Sequence, residues 1–173
     1  MQIFLQTLNQ LQDKPFHVHE LVSFVSLETD ISELVRMGPV DVHASFYKLE
    51  SNLFQVDVTQ STNVVMTCSR CLMETETTIS TNWSMQFTDV SNKAKETEEH
   101  VVIFIDGNAI DLLPYIREEL LLHIPYAPIC KEDCAGLCLK CGINKNVEKC
   151  KCRTERIDPR LEKLQELFNE GSN

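Results

Sequence analysis

Apolar and polar residues alternate along two neighbouring stretches of the chain. Apolar side chains occupy every even position of residues 40–46 and again of residues 54–58. A period of two is typical of a strand with one buried face, and the polar turn Glu50-Ser51-Asn52 separates the two stretches. Residues 40–59 therefore predict an antiparallel hairpin, with His43 on its exposed face.

Further stretches also have strand character. Residues 63–67 and about 74–87 predict two strands joined by a tight turn. His17 and His19 share one face of a short, half-buried strand, and we interpret them as surface polar residues rather than metal ligands. Residues 101–105 predict a buried strand. The turn that follows reverses the chain, so that the next few residues form a short strand beside it.

Helical signals are fewer. Asp30 and Glu33 resemble a capping box followed by apolar residues at helical spacing, which predicts a short helix. Asp111 is a suitable N-cap for the main helix, which we expect over about 111–124 with an apolar face toward the sheet. Residues 158–168 predict a short amphipathic C-terminal helix, because an Asp-Pro pair precedes leucines at helical spacing.

Cysteines carry the strongest chemical signal. Six of the eight lie within 23 residues in a stretch with little apolar sequence of its own. Four disulfides are one possible use of eight cysteines, but C-x-x-C pairs without a secretion signal favour zinc, which thiolates bind tightly. The predicted metal ligands are Cys68, Cys71, Cys130, Cys134, Cys138, Cys141, Cys150 and Cys152.

The spacing of the cysteines favours two zinc ions per chain. Cys138, Cys141, Cys150 and Cys152 lie within 15 residues, and a short loop costs less entropy to close than a long one. These four would form one site, and the remaining four would form the other. An alternative exchanges the pairs and places Cys138 and Cys141 opposite the upstream C-x-x-C. Four thiolates leave no position for substrate, so both sites are expected to be structural.

The distribution of charge separates two parts of the chain. The net charge is −10, but residues 130–163 carry nine Lys or Arg against six Asp or Glu. A local excess of positive charge can contact phosphates, although each zinc site with four thiolates would offset about two charges of it. The residues expected to contact RNA or a partner are Lys145, Lys149, Lys151, Arg153, Arg156 and Arg160.

Several linked motifs, from about residue 60 onward, resemble a known family. They are Cys68-Ser69-Arg70-Cys71-Leu72, Ile110-Asp111-Leu112-Leu113-Pro114, Glu118-Glu119-Leu120-Leu121-Leu122-His123-Ile124-Pro125, Cys130-x3-Cys134-Ala135-Gly136-Leu137-Cys138-x2-Cys141-Gly142 and Asp158-Pro159-Arg160-Leu161. In this order they are similar to the bacterial YceD family, in the longer form of Gram-positive bacteria. The resemblance implies a ribosome-biogenesis factor that supports the synthesis, processing or stability of large-subunit ribosomal RNA.

These observations predict an α+β fold, with a predominantly antiparallel β-sheet or partly open barrel, one main helix, zinc knuckles and a short C-terminal helix. Residues 1–129 would form the β-rich body, and residues 130–173 a zinc-binding segment packed on it through a shared metal site. The resemblance implies partners such as large-subunit ribosomal RNA, a pre-ribosomal particle or assembly proteins.

We expect a cytoplasmic protein with no membrane span, because no apolar run approaches the roughly 20 residues that a bilayer requires. No catalytic motif is present in the sequence, so we expect neither an enzyme nor a small-molecule substrate. Two other functions stay open. A protein-interaction adaptor would use the C-terminal helix and the acidic body, and a zinc-buffering or thiol-redox protein would use exchangeable cysteines.

Overall fold

The computed structural model describes residues 1–11, 14–24, 27–96 and 101–152. Within these ranges the chain forms nine strands and three α-helices. In order they are β1 (Gln2–Phe4), α1 (Leu5–Asn9), β2 (Phe16–Val22), α2 (Leu27–Asp30), β3 (Leu34–Met37), β4 (Val40–Glu50), β5 (Leu53–Thr67), β6 (Glu74–Thr88), a 3-10 turn (Ser91–Lys93), β7 (Lys95–Glu96), β8 (Val101–Phe104), β9 (Ala109–Asp111) and α3 (Leu113–His123).

The chain divides into two units. The first unit comprises Met1–Ser69 and Met73–Cys130 and contains every strand and helix named above. The second comprises Arg70–Leu72 and the chain from Lys131 onward. Its described part is held by turns and one isolated β-bridge, between Leu137 and Asn144. The predicted C-terminal helix, residues 158–168, lies outside the described residues.

The main sheet of the first unit runs in the order β2-β4-β5-β6-β8-β7, and β3 pairs with β5 beside this path. All of its pairings are antiparallel except that of β6 with β8, which is parallel. The sheet does not close on itself, because β2 and β7 lie at opposite ends of its order. This confirms the predicted α+β fold with a partly open, predominantly antiparallel sheet.

The predicted hairpin is confirmed, with Ala44 opposite Val58 and Phe46 opposite Val56. The return strand, however, does not end near residue 59: the strands predicted over 54–59 and 63–67 are one continuous β5. Polar Gln60 and Thr62 interrupt the apolar pattern at inward positions, yet both are buried. The Gln60 Nε2 donates to the Ile116 carbonyl at 3.3 Å and the Thr62 hydroxyl to the Gly38 carbonyl at 3.0 Å. These bonds offset the desolvation of the Thr62 hydroxyl and of the Gln60 Nε2, whereas the Gln60 Oε1 is buried without a hydrogen-bond partner among the described residues.

Helix α3 covers the inward face of the sheet. Ile116 and Leu120 are fully buried in the main core with Phe46, Phe54 and other inward residues of the strands. The helix begins two residues later than predicted, because Asp111 is the last residue of β9. The Asp111 carboxylate still accepts a hydrogen bond from the Leu113 amide at 3.1 Å, so it satisfies one of the free N–H groups of the first turn.

Two local predictions are wrong. The helix expected from Asp30 is absent: α2 ends at Asp30, and Leu34–Met37 forms β3 against β5. Leu34 is buried there in a second apolar cluster with Leu27, Val64, Met66 and Ile79, and this pairing across the chain outweighs the local capping pattern. The strand β8 does not pair with the short strand that follows it; β9 pairs with β1 instead. Nor is β8 the buried strand that was predicted, since Val101 and Phe104 are 50% and 43% exposed.

No helix in the part of the chain that the structure describes is long and apolar enough to cross a membrane.

Two leucines of α3 make a matched test of the core. Leu120 has no exposed surface, whereas Leu122 is 71% exposed. We expect Leu120→Ala to lower the free energy of unfolding by about 2 to 5 kcal/mol, because it leaves a cavity, and Leu122→Ala by less than about 0.5 kcal/mol. Urea denaturation of the full chain measures both, and equal losses would contradict this packing of the helix.

Candidate metal centres

The sulfur atoms of the eight cysteines form two groups of four. We call Cys68, Cys71, Cys130 and Cys134 the first cysteine group, and Cys138, Cys141, Cys150 and Cys152 the second. Within each group all four sulfur atoms lie within 4.8 Å of one another. This is the division that local loop closure predicts. Zinc–sulfur bonds of about 2.3 Å place the sulfurs of a tetrahedral site about 3.8 Å apart, so each group could hold a metal ion with small movements.

The turn between β5 and β6 presents the upstream C-x-x-C. The Cys68 amide donates to the Met73 carbonyl at 2.9 Å and thereby closes the turn. Beside it, the Ser69 amide and hydroxyl both donate to the Pro128 carbonyl, at 2.8 and 3.0 Å. The Cys130 amide donates to the Cys68 sulfur at 3.3 Å. An N–H directed at a sulfur stabilises the thiolate that a metal requires.

Arg70 makes hydrogen bonds to the backbone around Cys134. Its guanidinium donates from Nη1 to the carbonyls of Glu132 and Cys134, at 3.1 and 3.2 Å. Its own carbonyl accepts the Leu137 amide at 2.9 Å. Gly136 packs against this carbonyl with a φ of +68°, and a Cβ added there would lie 3.0 Å from the Arg70 oxygen. The close approach and the positive φ together require glycine at this position.

Asn146 is a supporting residue that sequence reasoning missed. Its side-chain Nδ2 donates to the Cys134 sulfur at 3.4 Å and to Asn144 Oδ1 at 2.8 Å. Its Oδ1 accepts the Ala135 amide at 2.9 Å. The available signal was the sequence Asn144-Lys145-Asn146 between Cys141 and Cys150. Asparagine side chains commonly form hydrogen bonds to nearby backbone in turns. Asn146 is not itself one of the four candidate ligands, but its side chain donates a hydrogen bond to one of them, Cys134. Residues around metal sites often orient the ligands in this way.

The second cysteine group is built around Cys138. The Cys138 amide donates to the Ile143 carbonyl and the Gly142 amide to the Cys138 carbonyl, both at 2.8 Å. The amides of Cys141 and Lys140 donate to the Cys138 sulfur, and these bonds, aided by the Cys150 side chain, lower the pKa of Cys138 to about 6. Interaction with the Cys141 side chain and burial raise the pKa of Cys152 to about 11. The turn thus favours a thiolate at Cys138 in the metal-free chain.

The structure also locates the other predicted site residues. Lys145, Lys149 and Lys151 are exposed in the second unit. Arg153, Arg156 and Arg160 lie outside the described residues. Burial differs among the cysteines: Cys141 is exposed, Cys130, Cys150 and Cys152 are partly exposed, and Cys68, Cys71, Cys134 and Cys138 are buried.

A third set of potential ligands was not predicted from the sequence. His19, Asp41 and His43 offer ligand atoms that lie within 4.8 Å of one another. His19 and His43 are exposed, as predicted, but the interpretation of His19 as a surface polar residue rather than a metal ligand did not consider that β2 and β4 are neighbours. The available signal was that His19 and His43 each lie in a stretch of alternating apolar and polar residues. Two such stretches can pair as neighbouring strands, and pairing brings the two histidines together.

The two glycines beside the cysteines make a matched pair for substitution. Gly136 and Gly142 both have positive φ, +68° and +73°, but a Cβ at Gly142 would meet no atom within 4 Å. Alanine at Gly142 should therefore cost only backbone strain of about 1 to 2 kcal/mol, whereas alanine at Gly136 must also displace the Arg70 carbonyl. We expect faster hydrogen exchange at the Leu137 amide in Gly136→Ala than in Gly142→Ala. Equal exchange in both variants would contradict the role of the close approach.

Comparison with known proteins identifies the family. A family model described as Large ribosomal RNA subunit accumulation protein YceD matches residues 56–168. The protein YlbN of Bacillus subtilis is 26% identical over 164 residues, which cover 94% of both chains. An uncharacterized protein of Mycobacterium tuberculosis, Rv2926c, is 34% identical over 107 residues, 61% of this chain and 51% of its own length.

A plant protein is similar as well. The Large ribosomal RNA subunit accumulation protein YCED homolog 1, chloroplastic, of Arabidopsis thaliana is 27% identical over 156 residues, 75% of this chain and 48% of the plant protein. The aligned part of this chain thus spans about half the length of the mycobacterial and plant relatives. No solved structure matches the chain. Since the family model covers well over half of its residues, the chain belongs to the YceD family of large ribosomal RNA subunit accumulation proteins.

Proposed function

We propose that this chain is a non-enzymatic, zinc-stabilised factor that supports the synthesis, processing or stability of large-subunit ribosomal RNA in the cytoplasm. The observation that carries the proposal is the family match over residues 56–168. The family's description names the large ribosomal RNA subunit, and the two cysteine groups supply the physical means by which the segment after residue 129 can be ordered.

Zinc is the metal that fits the cysteine groups best. Each group offers four sulfur donors and no oxygen or nitrogen ligand, and soft thiolates in a tetrahedral set select zinc over magnesium, calcium or manganese. The second unit has few buried apolar side chains in its described part, where Cys134 and Cys138 are the buried hydrophobic residues from Lys131 onward. Metal binding would therefore supply the free energy that a core supplies elsewhere.

A structural role for the zinc follows from its coordination. Four thiolates fill a tetrahedral site and leave no position for a water or a substrate oxygen. The same argument weighs against zinc buffering or thiol redox chemistry. In the first cysteine group Cys68, Cys71 and Cys134 are at most 5% exposed, and exchange and oxidation require access to the sulfur. Function through binding rather than catalysis is the more consistent proposal.

The exposed lysines of the second unit are the best candidates for contact with RNA. The whole chain carries a net charge of −10, so RNA would not bind to its surface in general. Lys145, Lys149 and Lys151 instead present three exposed amines within seven residues beside the second cysteine group. Lysine contacts to phosphate supply affinity without reading sequence, and they fix the orientation of a protein on its RNA. Recognition of a particular site would come from elsewhere on the surface.

Zinc content provides the first test. We expect close to two zinc ions per chain by elemental mass spectrometry, after chelating resin has removed weakly bound metal. Cys150→Ser should leave about one, because three thiolates hold zinc much less tightly than four. Cys71→Ser with Cys150→Ser should leave close to none. Loss of both ions from the single variant would contradict two separate sites, and a folded, reduced chain without metal would contradict the zinc proposal.

RNA binding provides the second test. Replacing Lys145, Lys149 and Lys151 with glutamine should weaken binding to large-subunit ribosomal RNA transcribed in vitro. The slope of log affinity against log salt should fall by roughly 0.7 to 0.9 for each phosphate that the variant no longer neutralises. Filter binding at several salt concentrations measures both quantities.

A matched control separates local contact from net charge. Glutamine at Lys14, Lys48 and Lys93 removes the same charge from the first unit. Equal weakening by both triple variants would indicate a general charge effect, and no weakening by either would remove the lysine contact. If the protein associates with precursors of the large subunit in cell extracts and ribonuclease leaves that association intact, the adaptor function is the better description.

A further inference from the structure

Two histidines and an aspartate meet on the solvent-facing side of the sheet in the first unit. The register of β2 and β4 places His19 directly opposite His43. Asp41 precedes His43 by two residues, so their side chains lie on the same face of β4. All three side chains are between 44 and 59% exposed, which leaves them accessible to a solute.

Both imidazoles are directed at one carboxylate oxygen. The His19 Nε2 lies 2.6 Å from Asp41 Oδ1, and the His43 Nε2 lies 3.3 Å from the same atom. The two rings are stacked, with centroids 4.2 Å apart and planes within 4° of parallel. Three potential ligand atoms from two neighbouring strands therefore converge on one small volume.

We propose that His19, Asp41 and His43 bind a divalent transition metal ion such as zinc, cobalt or nickel. Imidazole nitrogen and carboxylate oxygen are ligands that these ions share. With bonds of about 2.1 Å, neighbouring ligands of a tetrahedral ion lie about 3.4 Å apart. The distance from His43 to Asp41 already matches this value, whereas the distance from His19 to Asp41 must lengthen. The two stacked rings must also turn so that both Nε2 lone pairs point at one ion.

These movements involve exposed side chains, since the His19 and His43 side chains are 57% and 59% exposed. Their rings can therefore move without disturbing the core. In the metal-free chain the hydrogen bond between His19 and Asp41 is a surface contact, of the kind that adds little to stability. A metal ion would replace this hydrogen bond with one bond to the His19 nitrogen and one to the Asp41 oxygen. The His43 nitrogen would be its third ligand. Binding therefore opposes little existing structure.

The proposed site differs in kind from the cysteine groups. Three protein ligands leave at least one coordination position to water or to an oxygen of another molecule, whereas four thiolates leave none. The site also lies wholly within the first unit and shares no residue with either cysteine group. It does not depend on the proposed role with ribosomal RNA, so the two proposals can fail separately.

Other histidines of the chain serve as internal controls. His17 lies on the same strand and face as His19, but its Nδ1 lies 2.8 Å from the Ser45 hydroxyl and outside the set of three. His123 ends α3, and its Nδ1 lies 2.8 Å from the Glu119 carbonyl. Neither has a second histidine and a carboxylate directed at the same point among the described residues.

Imidazole nitrogen NMR tests the proposal directly. The full chain, without a polyhistidine tag and with both cysteine groups first loaded with zinc, is titrated with further zinc. We expect the Nε2 signals of His19 and His43 to shift together and to saturate at one added equivalent per chain, while those of His17 and His123 stay in place. Equal shifts at these four of the five histidines, or none at His19 and His43, would overturn the proposal and identify an exposed hydrogen-bonded cluster only.

Substitutions give the matching affinity test. His43→Ala and Asp41→Asn should each weaken the binding of added zinc at least about tenfold, since loss of even an indirect partner of a ligand has that effect. His17→Ala should leave the affinity unchanged. All three positions are on the surface, so circular dichroism and the zinc content of the cysteine groups should match those of the parent chain. An unchanged affinity in His43→Ala would overturn the assignment.

Discussion

The strand β5 is the element on which the first unit depends. It spans Leu53–Thr67, pairs with β6 along its whole length, and carries β4 and then β3 on its other edge. Its alternation places one face in both apolar clusters, through Val56 in the first and Met66 in the second. A continuous strand thus connects the two cores. Phe24 and Met37 pack against both clusters and join them as well.

The same strand sets the position of the upstream C-x-x-C. Thr67 is the last residue of β5, and the Cys68 amide bonds across the turn to Met73, so the cysteine lies where the sheet is already rigid. A ligand that is held before metal arrives loses little conformational freedom on binding. In the second unit the cysteines depend instead on short turns around Gly136 and Cys138, which hold backbone amides close to sulfur. The sulfur of Cys68 is thus positioned at the end of a sheet and that of Cys138 within a hydrogen-bonded turn, and each accepts a backbone N–H.

The sequence predicted features that depend on local periodicity. Strict alternation over residues 40–59 was enough to predict a hairpin, and the apolar face of α3 was enough to predict its burial. Predictions were wrong where a partner distant in the chain decides the structure. Leu34 fits a helical pattern when only its neighbours in the sequence are considered, but in the folded chain it lies in a strand that pairs with β5. The parallel pairing of β6 with β8 has no signature in the sequence of either strand. Gln60 shows the same limit, because the partner of its buried Nε2, the Ile116 carbonyl, lies 56 residues away in the chain.

The histidines show how such long-range pairing can also create chemistry. The pairing of β2 with β4 converts two ordinary alternating stretches into a set of three ligands that neither stretch contains alone. Cysteine spacing, in contrast, is visible in the sequence because most of the ligands are near neighbours. Spacing along a chain can therefore predict closed, structural metal sites, whereas an open site can depend on the register of a sheet. An open position on a solvent-facing metal is the kind of site at which a phosphate or carboxylate oxygen could bind, whereas a site filled by four thiolates offers no such position.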